Sequence, residues 1–387
     1  MVRFYKSVFF GMMFLAFSMG CTSEKNDKVD QTTIKTTELS IYENYVDSEK
    51  ILLGMPVRLK YDDQAQHLFI QDLPKWGITE IDDSSNVIHQ YGRRGRGPGE
   101  IQMLNDFFFN DEHLFIVDGG QYFVHKYSRE DGEHISSLDY AELRTKRKTI
   151  PDNPPPPPMP LNDNNNQLFV TLDETVLIPS HFGEEYLYKA VNWEGDKIAD
   201  IAKMPEQCSI NEDEEVSREA LKNKEVPAKD QCQTFPVNDP ANPDEIFIIY
   251  SAIPKIEKYT LTGEKLWEKQ IPETPEVDSL AIDLSNVAEE HPDRRLSAMK
   301  VRKYVTGRSN KDGELFLMTY TNLVTRFAPR RPLWIHKFDT EGELTERIKV
   351  ASEEDLNPYV GMDFEGERMM VNLFMEVGVR EYSFKNR

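Results

Sequence analysis

The hexapeptide "HLFIQD" at residues 67–72 returns as "HLFIVD" at 113–118. Self-similarity at a period of tens of residues restricts a fold more than any other feature, because each copy must be one supersecondary unit that buries its face against the next. Ten residues after Leu68 lies "ITEI" (78–81), and ten after Leu114 lies "VHKY" (124–127). Both alternate as half-buried strands do. The same offset separates "IFIIY" at Ile246 from "IEKY" (256–259), and "MMVNL" at Met369 from "VREY" (379–382). Two stretched copies run from "VLIPS" at Val176 to "LYKAV" (187–191) and from "LFLMTY" at Leu315 to "WIHKF" (334–338).

A turn follows the second strand of most copies. It reads "EDGEH", "WEGDK", "LTGEK" and "TEGEL", with glycine at 132, 195, 263 and 342. Glycine between polar residues is hairpin chemistry, because it takes positive φ without Cβ strain. In the first copy "DSSNVI" offers Asn86 for that conformation. A third strand such as "KLWEKQI" follows, and a leading strand such as "VRLKYD" (57–62) or "DFFFN" (106–110) precedes. Four antiparallel strands recurring six times give the expected fold: an all-β, six-bladed β-propeller. The last copy ends after "VREYSF" with no outer strand. "ELSIYENYV" (38–46) is therefore expected to close the last blade and cover its open edge.

The chain starts with Arg3 and Lys6, continues with the apolar run "VFFGMMFLAFSM" (8–19), and reaches Gly20-Cys21. That is the layout of a secretory signal, and the run is shorter than the ~20 apolar residues that span a bilayer. "SMGC" resembles a bacterial lipobox, which implies lipidation at Cys21. The polar stretch after it, "TSEKNDKVDQTTIKTT", has the composition of a tether. The expected division is a signal peptide at 1–20, a flexible tether at 21–37 and the propeller at 38–387.

The formal charge is −21, and losing residues 1–20 removes two cations to leave −23. Such a chain repels nucleic acid and anionic membrane surfaces, so contact with the membrane is expected through the lipid anchor only. Besides Cys21 the chain has Cys208 and Cys232. In an exported protein this even pair is expected to form a disulfide, which would contribute about 3 kcal/mol across its loop.

The six copies, the lipobox-like start and "GRGPGE" after the first blade together resemble six-bladed β-propeller lipoproteins of Bacteroidota type, related to NHL-repeat and TolB-like propellers. The resemblance spans about residues 38–387. It implies that Gly95, Gly97, Pro98, Gly99 and Glu100, ahead of Ile101, link two early blades. The spacing excludes a Walker loop, since Pro98-Gly99 follows Gly97, and a strand follows where a dinucleotide fingerprint needs a helix. The loop is read as a structural connector.

Other candidates are weaker. His67 and His113 hold equivalent repeat positions, as do Asp72 and Asp118, and the latter pair is read as turn-capping rather than as part of a metal ring. "PDNPPPPPMP" (151–160) reads as a polyproline II connector. Two helical insertions are expected, one at 212–224 capped by Ser217 and one at 285–305. No catalytic set, metal set or cofactor loop can be assembled. The expectation is a binding or scaffold lipoprotein of the cell envelope, on the periplasmic or surface side of a Gram-negative membrane. It would recognise a protein, peptide or glycan near the channel mouth through Arg58, Lys60, Asn105 and Asp106. The alternative is a hydrolase or lyase working at the channel, with calcium or zinc as the candidate ion.

Overall fold

The computed structural model describes residues 34–44, 46, 50–141, 143, 168–180, 184–208, 213–290, 301–320, 333–351, 356–363, 368–373 and 379–384. Strand β1 (Lys35–Asn44) comes first and returns below as a closing element. The first sheet is β2 (Pro56–Asp62), β3 (His67–Asp72), β4 (Gly77–Ile81) and β5 (Val87–Tyr91). A short parallel pair, β6 (Arg93–Arg94) and β7 (Glu100–Ile101), leads into the second sheet. That sheet is β8 (Leu104–Phe109), β9 (His113–Asp118), β10 (Phe123–Ser128) and β11 (His134–Asp139). The third is β12 (Phe169–Val170), β13 (Val176–Pro179), β14 (Tyr186–Val191) and β15 (Lys197–Lys203). Helix α1 (Glu214–Lys222) precedes the fourth, made of β16 (Thr234–Asn238), β17 (Glu245–Tyr250), β18 (Lys255–Thr260) and β19 (Lys265–Gln270). Helix α2 (Pro275–Glu290) follows it.

The remaining strands are β20 (Thr306–Ser309), β21 (Leu315–Tyr320), β22 (Leu333–Phe338), β23 (Leu344–Ala351), β24 (Leu356–Asp363), β25 (Arg368–Leu373) and β26 (Val379–Phe384). With β1 they form one eight-stranded sheet in the order β20-β21-β22-β23-β1-β26-β25-β24. The fold is an all-β propeller, and it has five blade sheets rather than the six expected. The cause is β1, which is long enough to pair on both edges. Lys35–Ser40 runs parallel to β23, and Leu39–Asn44 runs antiparallel to β26. One strand therefore fuses what the sequence presents as two separate repeats, and it occupies two edges that would otherwise stand open.

The second strand of each of the first five repeats is buried on both faces, which is why it reads as an apolar run and not as an alternation. In β9 every residue after His113 is buried, whereas β19 alternates exposed and half-buried positions. Core clusters sit between neighbouring sheets: Phe69, Ile78 and Tyr91 of the first pack with Phe107, Leu114 and Ile116 of the second. Val379 of β26 packs into the cluster of Leu59, Tyr61 and Ile70, bringing the last repeat against the first. Each fully buried Phe or Leu contributes about 1.5–3 kcal/mol by leaving water.

Glycines 132, 195, 263 and 342 take φ of 77°, 87°, 92° and 81° in the repeat turns, as the hairpin chemistry requires. In the first repeat Ser85, not Asn86, takes the positive φ of 61°. Asn86 instead donates from its side chain to Asp82 at 2.9 Å, a bond that fixes the turn from outside the strained position. The helices also depart from expectation. The N-cap of α1 is Asp213, whose carboxylate accepts the Glu215 N–H at 2.8 Å, while Ser217 lies buried inside the helix. Asp213 stands one residue before the acidic first turn, so it satisfies the orphan N–H that Ser217 cannot reach. Helix α2 begins at Pro275, ten residues before the expected start, because Pro is favoured in the first turn of a helix. Leu280, Leu284 and Ala288 of α2 pack with Leu221 of α1. The stretch 151–160, the expected signal peptide 1–20 with Cys21, and residues 22–33 of the expected tether lie outside the described residues, while residues 35–37 belong to β1.

Candidate functional site

The leading strands of all five sheets converge on a cavity of about 180 Å³. Their register makes the lining. The residue facing the second core position of the next strand points inward in every sheet: Lys60 opposite Phe69, Phe108 opposite Phe115, Phe169 opposite Leu177, Val237 opposite Phe247 and Arg308 opposite Phe316. All five inward residues line the cavity. The matching register position of the last repeat is Gly361, opposite Met370. The ring is thus cationic on the first and fifth sheets and aromatic or aliphatic on the other three.

Three of the four residues expected at the channel mouth meet here. Asp106 lies 3.2 Å from Arg58 and 3.1 Å from Lys60. Arg58 also donates to the Asn105 carbonyl and Lys60 to the Phe107 carbonyl, so both cations are strapped to β8 through its backbone. Lys60 sits 3.8 Å from the centre of the Phe108 ring, a favourable cation–π placement. Asn105 does not line the cavity. The register of β8 slips between Leu104 and Asp106, which makes Asn105 a bulged residue, and its amide lies against Gly119.

Arg308 was not foreseen. It donates to the Tyr61 carbonyl at 2.6 Å, joining the fifth sheet to the first at the axis. The signal for it was the register of "LF" in "LFLMTY", which matches "LF" in "HLFIQD" and puts Arg308 level with Lys60. Burial is the largest influence on Lys60 and pulls its pKa to about 8. Asp106 opposes that shift, and the charges of Arg58 and Arg308 add to it. Burial also lowers the Arg308 pKa, with Asp63 and Asp62 opposing.

The glycine-rich loop lies elsewhere and is filled from within. Gly97-Pro98-Gly99-Glu100 forms a turn closed by Glu100 N–H to the Gly97 carbonyl at 2.9 Å, with Gly99 at φ 70°. Proline second and a positive-φ glycine third define a type II turn. The Glu100 carboxylate accepts the backbone N–H groups of Arg96 at 2.9 Å and Gly97 at 2.8 Å, and pairs with Arg93 at 2.9 Å. A side chain at Gly95 would run into that carboxylate. The cradle that an external anion would use is taken by the chain's own acid.

Asp72 and Asp118 cap connectors between sheets. Asp118 accepts from Gln102, Met103 and Gly120 backbone N–H groups at 2.8–2.9 Å, and Asp72 accepts from Met55 at 2.6 Å. Burial opposes ionisation of Asp118, yet its donors, His125 foremost, hold its pKa far below the carboxylate range. His67 and His113 each meet a carboxylate, Glu80 at 2.8 Å and Glu174 at 2.7 Å. The Cys208 and Cys232 sulfurs are bonded, with their Cα atoms 5.5 Å apart. Cys21 lies outside the described residues. Among the described residues no three His, Cys, Asp or Glu side chains gather as a metal site.

No family model matches the chain, and no curated protein matches it in sequence. Solved structures resemble it in fold. A protein of Bacteroides fragilis NCTC 9343 classed as exported superimposes with a TM-score of 0.50 at 11% identity, over 92% of this chain and 100% of that one. A member of the DUF4221 family from Bacteroides vulgatus ATCC 8482 gives 0.56 at 7% identity, over 90% of this chain and 97% of that one. At these identities the likeness is one of fold.

Proposed function

We propose that the protein is a lipid-anchored binding module of the cell envelope, whose ligand seat is the central cavity. One observation carries the reading: residues that are far apart in sequence, from Arg58 to Ser309, reach one concave space only through the closure of the propeller. A concave, largely apolar space with a few converging polar groups is where ligands bind on such scaffolds. The signal-like start, Cys21 in its lipobox-like setting and the polar stretch behind it support an anchored placement, and the Bacteroides fragilis neighbour, classed as exported, supports a place outside the cytoplasm. A lipid at Cys21 and a long tether would hold the cavity clear of the membrane.

Two measurements test this. Labelled palmitate should appear in the wild-type protein and vanish in Cys21→Ala. A panel of peptides, sugars and small acids should then be screened by thermal shift against wild type and Asn238→Trp, which fills the cavity from β16. Ligands that stabilise wild type but not Asn238→Trp are expected. Ligands indifferent to the plug would move the seat elsewhere, and turnover of a plug-sensitive ligand would turn the binding module into a hydrolase or lyase.

A further inference from the structure

We infer that the cavity takes a small molecule with an anionic head on an aromatic or apolar body about one ring in size, the head held by Lys60 and Arg308 and the body by the phenylalanines of β8 and β12. The inference rests on the cavity being the ligand seat, and it goes on to name the ligand's chemistry. Three observations lead to it.

The first is charge. The chain carries −21 overall, yet the described lining holds three cations, Arg58, Lys60 and Arg308, against one carboxylate, Asp106. Gathering like charges away from water costs stability, and such arrangements concentrate where binding recovers the cost. Asp106 is shared between Arg58 and Lys60, while Arg308 meets a backbone carbonyl of β2. An incoming anion would be the second negative group in the lining beside three positive ones, with Asp62 and Asp63 acting on Arg308 from outside the lining. Charge-assisted hydrogen bonds of this kind are the stronger class.

The second is shape. The two inward cations stand on the first and fifth sheets, and the register position between them, in the last repeat, is Gly361. Glycine adds no side chain there. Beside Lys60 stands Phe108, whose ring centre lies 3.8 Å from the ammonium, and Phe169 follows on the next sheet, its centroid 4.7 Å from that of Phe108 in an edge-on pair. The site therefore has a cationic stretch that passes directly into an aromatic wall.

The third is size. The volume, about 180 Å³, is slightly more than the ~150 Å³ of a cavity known to accept benzene. One ring with a short acidic arm fits that space, and a folded partner does not.

The test uses the full mature chain and four probes by calorimetry: phenylacetate, phenyl phosphate, the neutral isostere phenylacetamide, and acetate. Phenylacetate or phenyl phosphate should bind, and the better of the two identifies the head group. Phenylacetamide should bind at least about tenfold more weakly because it lacks the charge, and acetate likewise because it lacks the ring. Lys60→Met and Arg308→Gln should each weaken the anionic probe about tenfold or more, with their folding checked by melting. If either variant fails to fold, the comparison of charged and neutral probes on wild type still decides. Equal binding of phenylacetate and phenylacetamide would overturn the inference while leaving the cavity as the seat. So would binding of no anionic probe at millimolar concentration. Anion binding that survives Asn238→Trp would overturn both readings.

Discussion

The Glu100 carboxylate accepts the Gly97 backbone N–H at 2.8 Å across the turn that the two residues close. The loop thereby serves as its own ligand. That bond is the first cause of the lowered Glu100 pKa. Glu100→Ala should lower Tm and leave the Arg96 and Gly97 amides without their acceptor. The variant, unlike wild type, should then be stabilised by sulfate, measured as a sulfate-dependent Tm. Gly99→Ala should cost about 1 kcal/mol or more in chemical denaturation, since its φ of 70° disfavours any Cβ and His134 lies against the position.

Acid should unfold the protein partly through Glu276. This buried carboxylate at the start of α2 accepts from His336 Nε2 at 2.5 Å and from Arg347 Nε at 2.8 Å. Tyr304 donates to His336 Nδ1 at 2.9 Å, which fixes the neutral ring with its proton on Nε2. Burial pushes the Glu276 pKa up, but His336 and Arg347 hold it at about 2. A depressed carboxylate stabilises fully above its ordinary value of 4.5 and loses that contribution as pH falls towards 2. The size is about 3 kcal/mol. His336 is also depressed, chiefly by burial, so its contribution begins to fall below pH 6.5. Glu276→Gln should melt earlier at pH 7 and show a flatter Tm profile between pH 4.5 and 2.

Anion binding should weaken in mild alkali. Lys60, facing Asp106, Arg58 and Arg308, is about half charged near pH 8 in the free protein. A bound anion favours the charged form, so above pH 8 binding takes up a proton and affinity falls, by up to tenfold per pH unit. Phenylacetate affinity measured from pH 6.5 to 9.5 should be flat and then decline, and in Lys60→Met the decline should disappear.

Reduction should destabilise the third and fourth sheets together. The bonded Cys208 and Cys232, 24 residues apart, both contact the core cluster of Tyr188, Ile201, Ile248 and Tyr250. Peptide mapping without reductant should recover the linked peptides. Cys208→Ser with Cys232→Ser should lower stability by about 3 kcal/mol.

Deleting residues 35–44 should lower Tm markedly and promote aggregation, because it removes the partner of both β23 and β26. A truncated chain that melts like the full one would show that β1 adds nothing to closure.

Local chemistry was legible in the sequence. The repeats, the turn glycines and the pairing of a late strand with an early one follow from periodicity and from φ preferences, which act within a few residues. Arg58, Lys60 and Asp106 could be named as inward candidates because strand alternation is local too, whereas Asn105 falls at a register slip of β8 that alternation does not foretell. The N-cap of α1 was misplaced for a different reason: Asp213 and Ser217 are both capping residue types, and only the helix start chooses between them.

Tertiary structure decided the rest. That β1 bonds to two strands, giving five sheets where six repeats are written, depends on edges more than 300 residues away in the chain. That Arg308 joins Lys60 depends on the ring bringing the fifth sheet back to the first. Sequence sets what each strand presents, but which presented groups share one space is set by closure, a long-range constraint that no local pattern contains.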